Sequence, residues 1–239
     1  MNLVISQSML FPWLGFIQLV AGADMYVRYD DVKYSKGSFT NRVQIRTSIG
    51  KTWITVPVVG STSRTIDEID LIDIERIATR IRSQVLENYR LAPHLEDALV
   101  IIDETFATEP VTLGELSFRS TLAILRYLGL SSRIEFKDVA SIDLVGRGSD
   151  RVLDICMKLG ASRYLSAMGG LKYLDHDKFA TNGVEVLYPK CDLTPWPQCQ
   201  GGFDPYVSAL DVIANCGSGS RSMIDVDFIP WKHHVDRSD

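Results

Sequence analysis

The sequence predicts an α/β fold with a mainly parallel sheet, a β-hairpin excursion and a helical insert in the middle of the chain. Three observations predict it: a strand–loop–helix–strand order at the start, apolar residues at helical spacing through the middle, and short strands alternating with short helices in the last third. We expect a single domain over residues 1–239, with the insert at about 73–130 packed beside one shared sheet and a short polar tail at 232–239.

The opening residues predict a βαβ unit. Residues 3–5 indicate a buried strand, residues 14–21 a short helix that ends at Gly22, and residues 25–29 a second strand. A unit of this kind begins a parallel sheet, because the crossover returns the chain in its original direction.

The middle of the chain predicts a hairpin followed by helices. Two β-rich stretches at 43–46 and 53–58 favour an antiparallel hairpin. Two apolar stripes at helical spacing follow, formed by Ile74, Ile77, Ile81 and Val85 and then by Leu95, Leu99, Ile102 and Phe106. Thr112 and Glu115 have the spacing of a capping box for a third helix, which ends at Gly129.

The last third returns to alternating strands and helices. Ser149 is the expected N-cap of a helix that Gly160 closes. The elements expected after it are a strand at 163–166, a helix at 175–181, a strand at 184–188 and a helix at 206–215.

Composition excludes several classes of protein. The net charge of -5 disfavours a nucleic-acid partner, because such a surface repels a phosphate backbone. No apolar run has the length of about 18 residues that a membrane helix needs, and Pro12 and Gly15 interrupt the apolar start, so we expect a cytoplasmic protein without a membrane partner. No two cysteines form a C-x-x-C pair, so we expect neither a disulfide framework nor a metal site.

Polar and glycine residues gather directly after the predicted strands. In open α/β sheets, ligands bind beyond the carboxyl ends of the strands, so this clustering predicts a site there. The substrate-binding residues expected are Gln7, Trp13, Tyr34, Lys36, Asn41, Arg42, Ser166, Gly169, Gly170, Tyr173, Asp175 and Gln198. The catalytic residues expected are Asp30, Asp31 and His176.

The segment 30–46 contains two carboxylates, two aromatic residues, two lysines and two arginines. Arg42 suits bidentate contact with a phosphate or carboxylate, Lys36 supplies a point charge, and Asn41 supplies orientation. The same composition also fits a solvated hairpin with surface ion pairs.

Two further features have both a catalytic and a structural interpretation. His176 is the best general-base candidate because imidazole titrates near neutral pH, although a helix-capping role fits equally well. The Gly169 and Gly170 amides suit an oxyanion or phosphate, but two glycines also occur in ordinary tight turns. A Walker A motif is excluded, because Ile45 occupies the position of its first glycine.

Two blocks of sequence carry a family resemblance. The first contains Ile5-Ser6-Gln7, Phe11-Pro12-Trp13-Leu14-Gly15-Phe16, Ala23-Asp24, Tyr29-Asp30-Asp31-Val32, Tyr34-Ser35-Lys36 and Phe39-Thr40-Asn41-Arg42. The second contains Arg151-Val152-Leu153-Asp154-Ile155, Leu159-Gly160, Tyr164-Leu165-Ser166, Tyr173-Leu174-Asp175, Pro197-Gln198, Gly202-Phe203, Pro205 and Ser208-Ala209-Leu210-Asp211. Together they resemble the WbqC-like family over nearly the whole chain. The sequence departs from the family pattern at Ser8, where proline is frequent, and at Met168, where histidine is frequent.

The resemblance implies a role in making surface polysaccharides such as O-antigen. It suggests transfer of an acyl or aminoacyl group to the amine of a nucleotide-linked amino sugar, which makes a nucleotide sugar the expected small-molecule partner. Two alternatives stay open: an ATP-using adenylating or nucleotidyl-transferring enzyme, and a non-catalytic subunit of a glycan assembly complex. The sequence requires no cofactor, and it leaves the acyl or aminoacyl donor and the oligomeric state open.

Overall fold

The computed structural model describes residues 1–58, 63–190 and 193–235, with a six-stranded sheet at its centre. The strands of the protein are β1 (Asn2–Ser6), β2 (Met25–Arg28), β3 (Arg42–Thr47), β4 (Gly50–Thr55), β5 (Glu135–Asp138), β6 (Arg163–Leu165), β7 (Glu185–Pro189) and β8 (Phe228–Pro230). The sheet order is β5-β2-β1-β6-β7-β8, with parallel pairing from β5 to β7 and an antiparallel edge strand β8. The predicted α/β class with a mainly parallel sheet is confirmed.

The predicted β-hairpin is confirmed as a separate two-stranded unit. Strands β3 and β4 pair antiparallel, with Gln44 opposite Trp53. Strand β4 begins earlier than expected, because pairing extends to Gly50 beside the turn. That glycine has a φ of +131°, a backbone conformation that other residues rarely adopt.

The helices follow the predicted pattern closely. They are α1 (Leu14–Ala21), α2 (Ile74–Asn88), α3 (Leu95–Phe106), α4 (Leu113–Tyr127), α5 (Ser149–Lys158), α6 (His176–Thr181), α7 (Ala209–Cys216) and α8 (Lys232–Val235). The Thr112 hydroxyl accepts a hydrogen bond from the Glu115 amide at 3.2 Å, and Gly129 follows α4 with a φ of +68°. Within the insert, α3 packs against α2 and α4, and it also contacts α7.

Three details differ from the sequence-based expectation. Strands β5 and β8 lie at the sheet edges, and neither has the apolar run that marks a buried strand: β5 is Glu-Phe-Lys-Asp, and β8 is a three-residue Phe-Ile-Pro. The prediction that Ser149 caps α5 is wrong, because Gly148 occupies the N-cap position. The Ser149 hydroxyl instead accepts a hydrogen bond from the Asp175 amide at 2.9 Å. Cys191 and the tail residues 236–239 lie outside the described residues.

Apolar side chains cover both faces of the sheet, as a parallel sheet requires. Within β1, Val4 points into a cluster with α1, α4 and α7, whereas Leu3 and Ile5 point into a second cluster with α5 and α6. Polar residues follow the carboxyl ends of β1 and β6 directly, at Gln7, Ser8 and Ser166. Within the described residues, none of the helices combines the length and apolarity that a bilayer crossing requires.

Candidate functional site

The chain changes direction across the sheet beside β1. From β1 it passes to β2 on one side, and it later enters β6 on the other side. The loops that follow β1 and β6 therefore diverge and leave a crevice beyond the carboxyl ends of these two strands. Ligands of open α/β sheets bind at this kind of crevice.

A cavity of about 530 Å³ lies at the crevice, between α1, the turn after β6 and the segment near residue 205. Its lining residues are Met9, Trp13, Gly15, Phe16, Gln18, Leu19, Ala167, Met168, Gly169, Pro189, Leu193, Pro205 and Tyr206. A Cβ atom on Gly15 would lie 2.4 Å from the Trp13 ring, so the absence of a side chain there lets the ring lie against the helix. Two of the predicted substrate-binding residues, Trp13 and Gly169, line the cavity.

A smaller cavity of about 200 Å³ shares three lining residues with the first: Met9, Trp13 and Tyr206. The Trp13 and Tyr206 ring centroids are 5.7 Å apart, so the two rings form a common wall. The smaller cavity continues toward the hairpin at Phe39 and Val43.

The turn Met168–Lys172 separates the large cavity from the core behind β6. A side chain on Gly169 would meet no atom within 4 Å, whereas a Cβ atom on Gly170 would lie 2.2 Å from the Ser166 hydroxyl oxygen. The Gly170 amide donates to the Ala167 carbonyl at 2.9 Å, so its hydrogen bond lies inside the turn. The two residues before Gly170 are Met168 and Gly169, and their amides have no acceptor among the described residues.

Asp30 anchors the loop after β1. One carboxylate oxygen accepts from the Ser8 amide at 2.8 Å and the other from the Ser8 hydroxyl at 2.5 Å. Asp30 has 0% exposed surface. Burial raises the pKa of Asp30 to about 7, and the two bonds from Ser8 limit the rise. A carboxyl so enclosed holds the loop in place and has no direct access to a substrate.

Asp30 also belongs to a charged group that we call the Arg28 cluster: Arg28, Asp30, Asp67 and Asp138. The Arg28 guanidinium donates to Asp138, lies 3.3 Å from Asp67 and lies 3.8 Å from Asp30. Burial and the neighbouring carboxylates raise the pKa of Asp67, against the opposing effect of Arg28. This cluster forms where β2 and β5 end, and sequence reasoning missed all its members except Asp30.

Asp31 forms a second ion pair beside the Arg28 cluster. The Arg151 guanidinium donates to both Asp31 carboxylate oxygens, and it also donates to the Tyr29 hydroxyl at 3.3 Å. The Arg151 guanidinium carbon lies 5.0 Å from the centre of the Tyr29 ring. The Asp31 side chain keeps 30% of its surface exposed, so this carboxylate is oriented by Arg151 and still reaches solvent.

His176 begins α6 and contacts the end of β7. Its Nε2 atom lies 2.7 Å from the Tyr188 hydroxyl, and its ring stacks on Trp231 with centroids 4.7 Å apart. Burial lowers the pKa of His176, although Asp175 and Asp177 act in the opposite direction. The imidazole is therefore neutral at pH 7 and is not among the residues that line the large cavity.

The residues expected to bind phosphate are mostly engaged within their own loop. The Arg42 guanidinium donates to the Gly37 carbonyl and stacks on the Trp53 ring at 4.0 Å. The Asn41 amide donates to the Val56 carbonyl at 2.9 Å, while Tyr34 is buried and Lys36 is exposed. Of this group, Lys36 is the exposed residue.

The other predicted residues have mainly structural contacts. Gln198 donates to the buried Asp211 carboxylate at 2.8 Å, and Trp196 donates to the same oxygen at 2.6 Å. Asp175 caps α6 by accepting from the Lys178 amide at 3.1 Å. Gln7 and Ser166 follow β1 and β6 directly, and Tyr173 is exposed near the turn after β6.

These features define an α/β protein with an apolar cavity at the sheet crossover and a carboxylate-rich edge where β2 and β5 end, linked by Ser8, which binds Asp30 and precedes the cavity residue Met9. Among the described residues, no three His, Cys, Asp or Glu side chains are grouped to hold a metal ion. The profile of the WbqC-like protein family matches residues 7–223. The chain therefore belongs to the WbqC-like protein family.

One curated relative is similar to this chain over nearly its whole length. The uncharacterized protein Rv1507c of Mycobacterium tuberculosis is 32% identical over 221 residues, which cover 91% of this chain and 94% of the relative. No solved structure matches the chain significantly.

Proposed function

We propose that the protein is an enzyme of surface polysaccharide or glycoconjugate biosynthesis that transfers an acyl or aminoacyl group to the amine of a nucleotide-linked amino sugar. The observation that carries the proposal is the position of the 530 Å³ cavity at the sheet crossover, where the loop that lines it at Met9 is held through Ser8 by Asp30 of the carboxylate-rich edge. Family membership supports the biosynthetic context through the resemblance described above.

Acyl transfer to an amine needs three elements. It needs a pocket for the donor, hydrogen-bond donors for the tetrahedral oxyanion, and a group that accepts the proton released as the C–N bond forms. We assign the pocket to the large cavity and the oxyanion donors to the Met168 and Gly169 amides, whose residues line that cavity. The sugar nitrogen reacts as the neutral amine, after its ammonium form has lost one proton to water. The carbonyl carbon of the donor gains this nitrogen and loses its leaving group, and the proton released from the nitrogen passes through the acceptor group to the leaving group.

The carboxylate-rich edge suits an acceptor that carries an ammonium group. Four carboxyl groups (Asp30, Asp31, Asp67 and Asp138) face two guanidinium groups (Arg28 and Arg151), so negative charge is in excess when the carboxyls are ionised. An excess of one sign attracts a ligand of the opposite sign. We therefore propose that this edge receives the amine of the sugar.

Among the three predicted acid–base residues, Asp31 is the one we propose as proton acceptor. Its carboxylate is partly exposed and oriented by Arg151, whereas Asp30 is enclosed and His176 Nε2 contacts the Tyr188 hydroxyl. His176 then positions the turn after β6 through Tyr188, which adjoins Gly170.

The direct test incubates the protein with nucleotide-linked amino sugars and either acyl thioesters or aminoacyl donors, and detects a new amide by mass spectrometry. We expect amide formation with the wild-type chain and a loss of about 100-fold or more for Asp31→Asn, since a proton acceptor contributes about that much. Asp143→Asn, which changes an exposed carboxylate elsewhere, should keep full activity.

Other outcomes would select the two alternatives. Pyrophosphate release from ATP in the presence of a carboxylate substrate, without transfer to a sugar, would identify an adenylating enzyme. A stable complex with another glycan enzyme, and no turnover of any donor, would identify a non-catalytic subunit. Either result would overturn the proposed transfer.

The phosphate assignment has its own test. Lys36→Ala should weaken binding of the nucleotide sugar, because this exposed ammonium is proposed to contact the diphosphate. Lys33→Ala is the matched control, since Lys33 is also exposed in the same loop. Equal affinity of the two variants for the nucleotide sugar would remove Lys36 from the site.

A further inference from the structure

We infer that the large cavity takes an uncharged, straight aliphatic acyl chain, so that the donor is an apolar acyl derivative rather than an aminoacyl one. This inference rests on the proposed function, because it names the group that the proposed reaction would transfer. It follows from two features: the chemistry of the described cavity wall, and the apolar smaller cavity that shares three lining residues with it.

The described wall of the large cavity carries no charged side chain. The described lining residues include no Asp, Glu, Lys, Arg or His. Gln18 is the only amide side chain among them, and its nitrogen already donates to the Met223 carbonyl at 2.8 Å. An ammonium group taken from water into this wall would meet no carboxylate among the described lining residues, and burying a charge without a charged partner is strongly unfavourable. An aminoacyl group therefore fits this cavity poorly.

The apolar lining extends beyond the large cavity. Met9, Trp13 and Tyr206 form part of both cavities, and the described wall of the smaller one also lacks charged residues. Methionine side chains such as Met9 and Met168 adjust easily to chains of different shape. The space on the far side of the Trp13 and Tyr206 rings is therefore also lined by uncharged residues.

The test measures affinity for non-hydrolysable thioester analogues, with a methylene in place of the sulfur, by titration calorimetry. The series carries acetyl, butyryl, hexanoyl and octanoyl groups on one small carrier. Each added methylene should tighten binding about fourfold, which corresponds to about 0.8 kcal/mol of apolar burial. The β-alanyl analogue has the size of the butyryl one but ends in an ammonium, and it should bind about 100-fold more weakly.

Variants locate the chain in the cavity. Gly169→Leu adds a side chain at the cavity wall, and the space around its Cβ is open, so the fold should tolerate it. Gly219→Leu is the matched control, because Gly219 also has open space and lies in another short 3-10 segment, Gly217–Met223. In Gly169→Leu the octanoyl analogue should bind no more tightly than the acetyl analogue. In Gly219→Leu the octanoyl analogue should keep its higher affinity. Met168→Trp, with Met157→Trp as control, is a second pair at exposed methionines.

Each result decides the inference. Tighter binding of β-alanyl than of butyryl, or affinity that does not change with chain length, would overturn it, while transfer of an aminoacyl group to the sugar would leave the proposed function intact. If both Gly169→Leu and Met168→Trp bind the octanoyl analogue as tightly as the wild type does, the acyl chain does not lie in the large cavity. Chain-length-dependent binding without amide formation on any amino sugar would support the inference and reject the proposed function.

Discussion

The Ser8 hydroxyl donates a hydrogen bond to Asp30 over 2.5 Å, and the Ser8 amide donates to the other oxygen of the same carboxyl over 2.8 Å. No part of Asp30 is exposed to solvent. This pair ties the loop after β1 to the end of β2 through a group whose pKa lies near 7. The loop that leads to the cavity is therefore anchored by a carboxyl that changes charge near neutral pH.

The first prediction concerns the pH dependence of stability. The pKa of Asp30 is about 7 in the folded chain and about 3.9 when unfolded, so the folded state binds the proton more tightly. The stability that this group contributes is complete below about pH 4 and is lost as the pH rises through 7. Asp30→Asn should make the free energy of unfolding less dependent on pH, with a difference from wild type on the order of 2 kcal/mol between pH 5 and pH 8.

Urea unfolding across this pH range measures the effect. Asp143→Asn is the control, because it removes an exposed carboxyl and should leave the pH profile of the wild type unchanged. Parallel profiles for wild type and Asp30→Asn would show that Asp30 does not titrate in this range.

The second prediction concerns Ser8, whose hydroxyl donates a hydrogen bond to Asp30. Ser8→Ala leaves one buried Asp30 oxygen without its hydroxyl partner, which should cost about 1–3 kcal/mol in unfolding free energy. The cost should be larger at pH 8 than at pH 5, because the ionised carboxylate depends more on the bond. Ser222→Ala removes an exposed hydroxyl bonded to the Gly219 carbonyl and should change stability by less than about 0.5 kcal/mol. If the Ser8→Ala protein is as stable as the wild type at pH 8, the bond from Ser8 to Asp30 does not hold the loop after β1 in place.

The third prediction concerns a close contact at the start of α4. A Cβ atom on Gly114 would lie 2.5 Å from a carboxylate oxygen of Asp67 and 3.2 Å from one of Asp30. Alanine normally stabilises a helix by about 1 kcal/mol relative to glycine, but here the clash should reverse the sign and destabilise the protein by about 1–3 kcal/mol. Gly169→Ala has open space and should be neutral. The melting temperature should therefore fall for Gly114→Ala and stay unchanged for Gly169→Ala. An unchanged melting temperature for Gly114→Ala would refute the close contact with Asp67 and Asp30.

The fold could be predicted wherever the signal is local. Helix α1 ends before Gly22, the expected helix stop, and α4 begins directly after its N-cap Thr112, whose hydroxyl accepts a hydrogen bond from the Glu115 amide. Strands β5 and β8 escaped prediction because each lies at an edge, where burial imposes no apolar run. Their pairing depends on distant segments.

The site was only partly predictable for the same reason. Trp13 and Gly169 were expected to bind substrate and do line the cavity, since both follow strands that end at the crossover. The Arg28 cluster joins Asp67 and Asp138 from segments far apart in the chain, and no spacing in the sequence indicates that meeting. Arg42 has the chemistry of a phosphate ligand, yet its own loop supplies the Gly37 carbonyl that it binds.

The last prediction concerns the imidazole of His176. Burial lowers its pKa, and the stacked Trp231 ring lies 4.7 Å away, so Trp231→Ala should expose the imidazole and raise the pKa toward the ordinary value of about 6.5. Asp177→Asn should lower it further, because the Asp177 carboxylate stabilises the charged form. Titration of the histidine ring protons by NMR measures both shifts, and Asp103→Asn, on the distant helix α3, should change neither. If both variants shift the pKa of His176 in the same direction, burial does not control that pKa. The contact with Tyr188 would then have to explain why the pKa is lowered.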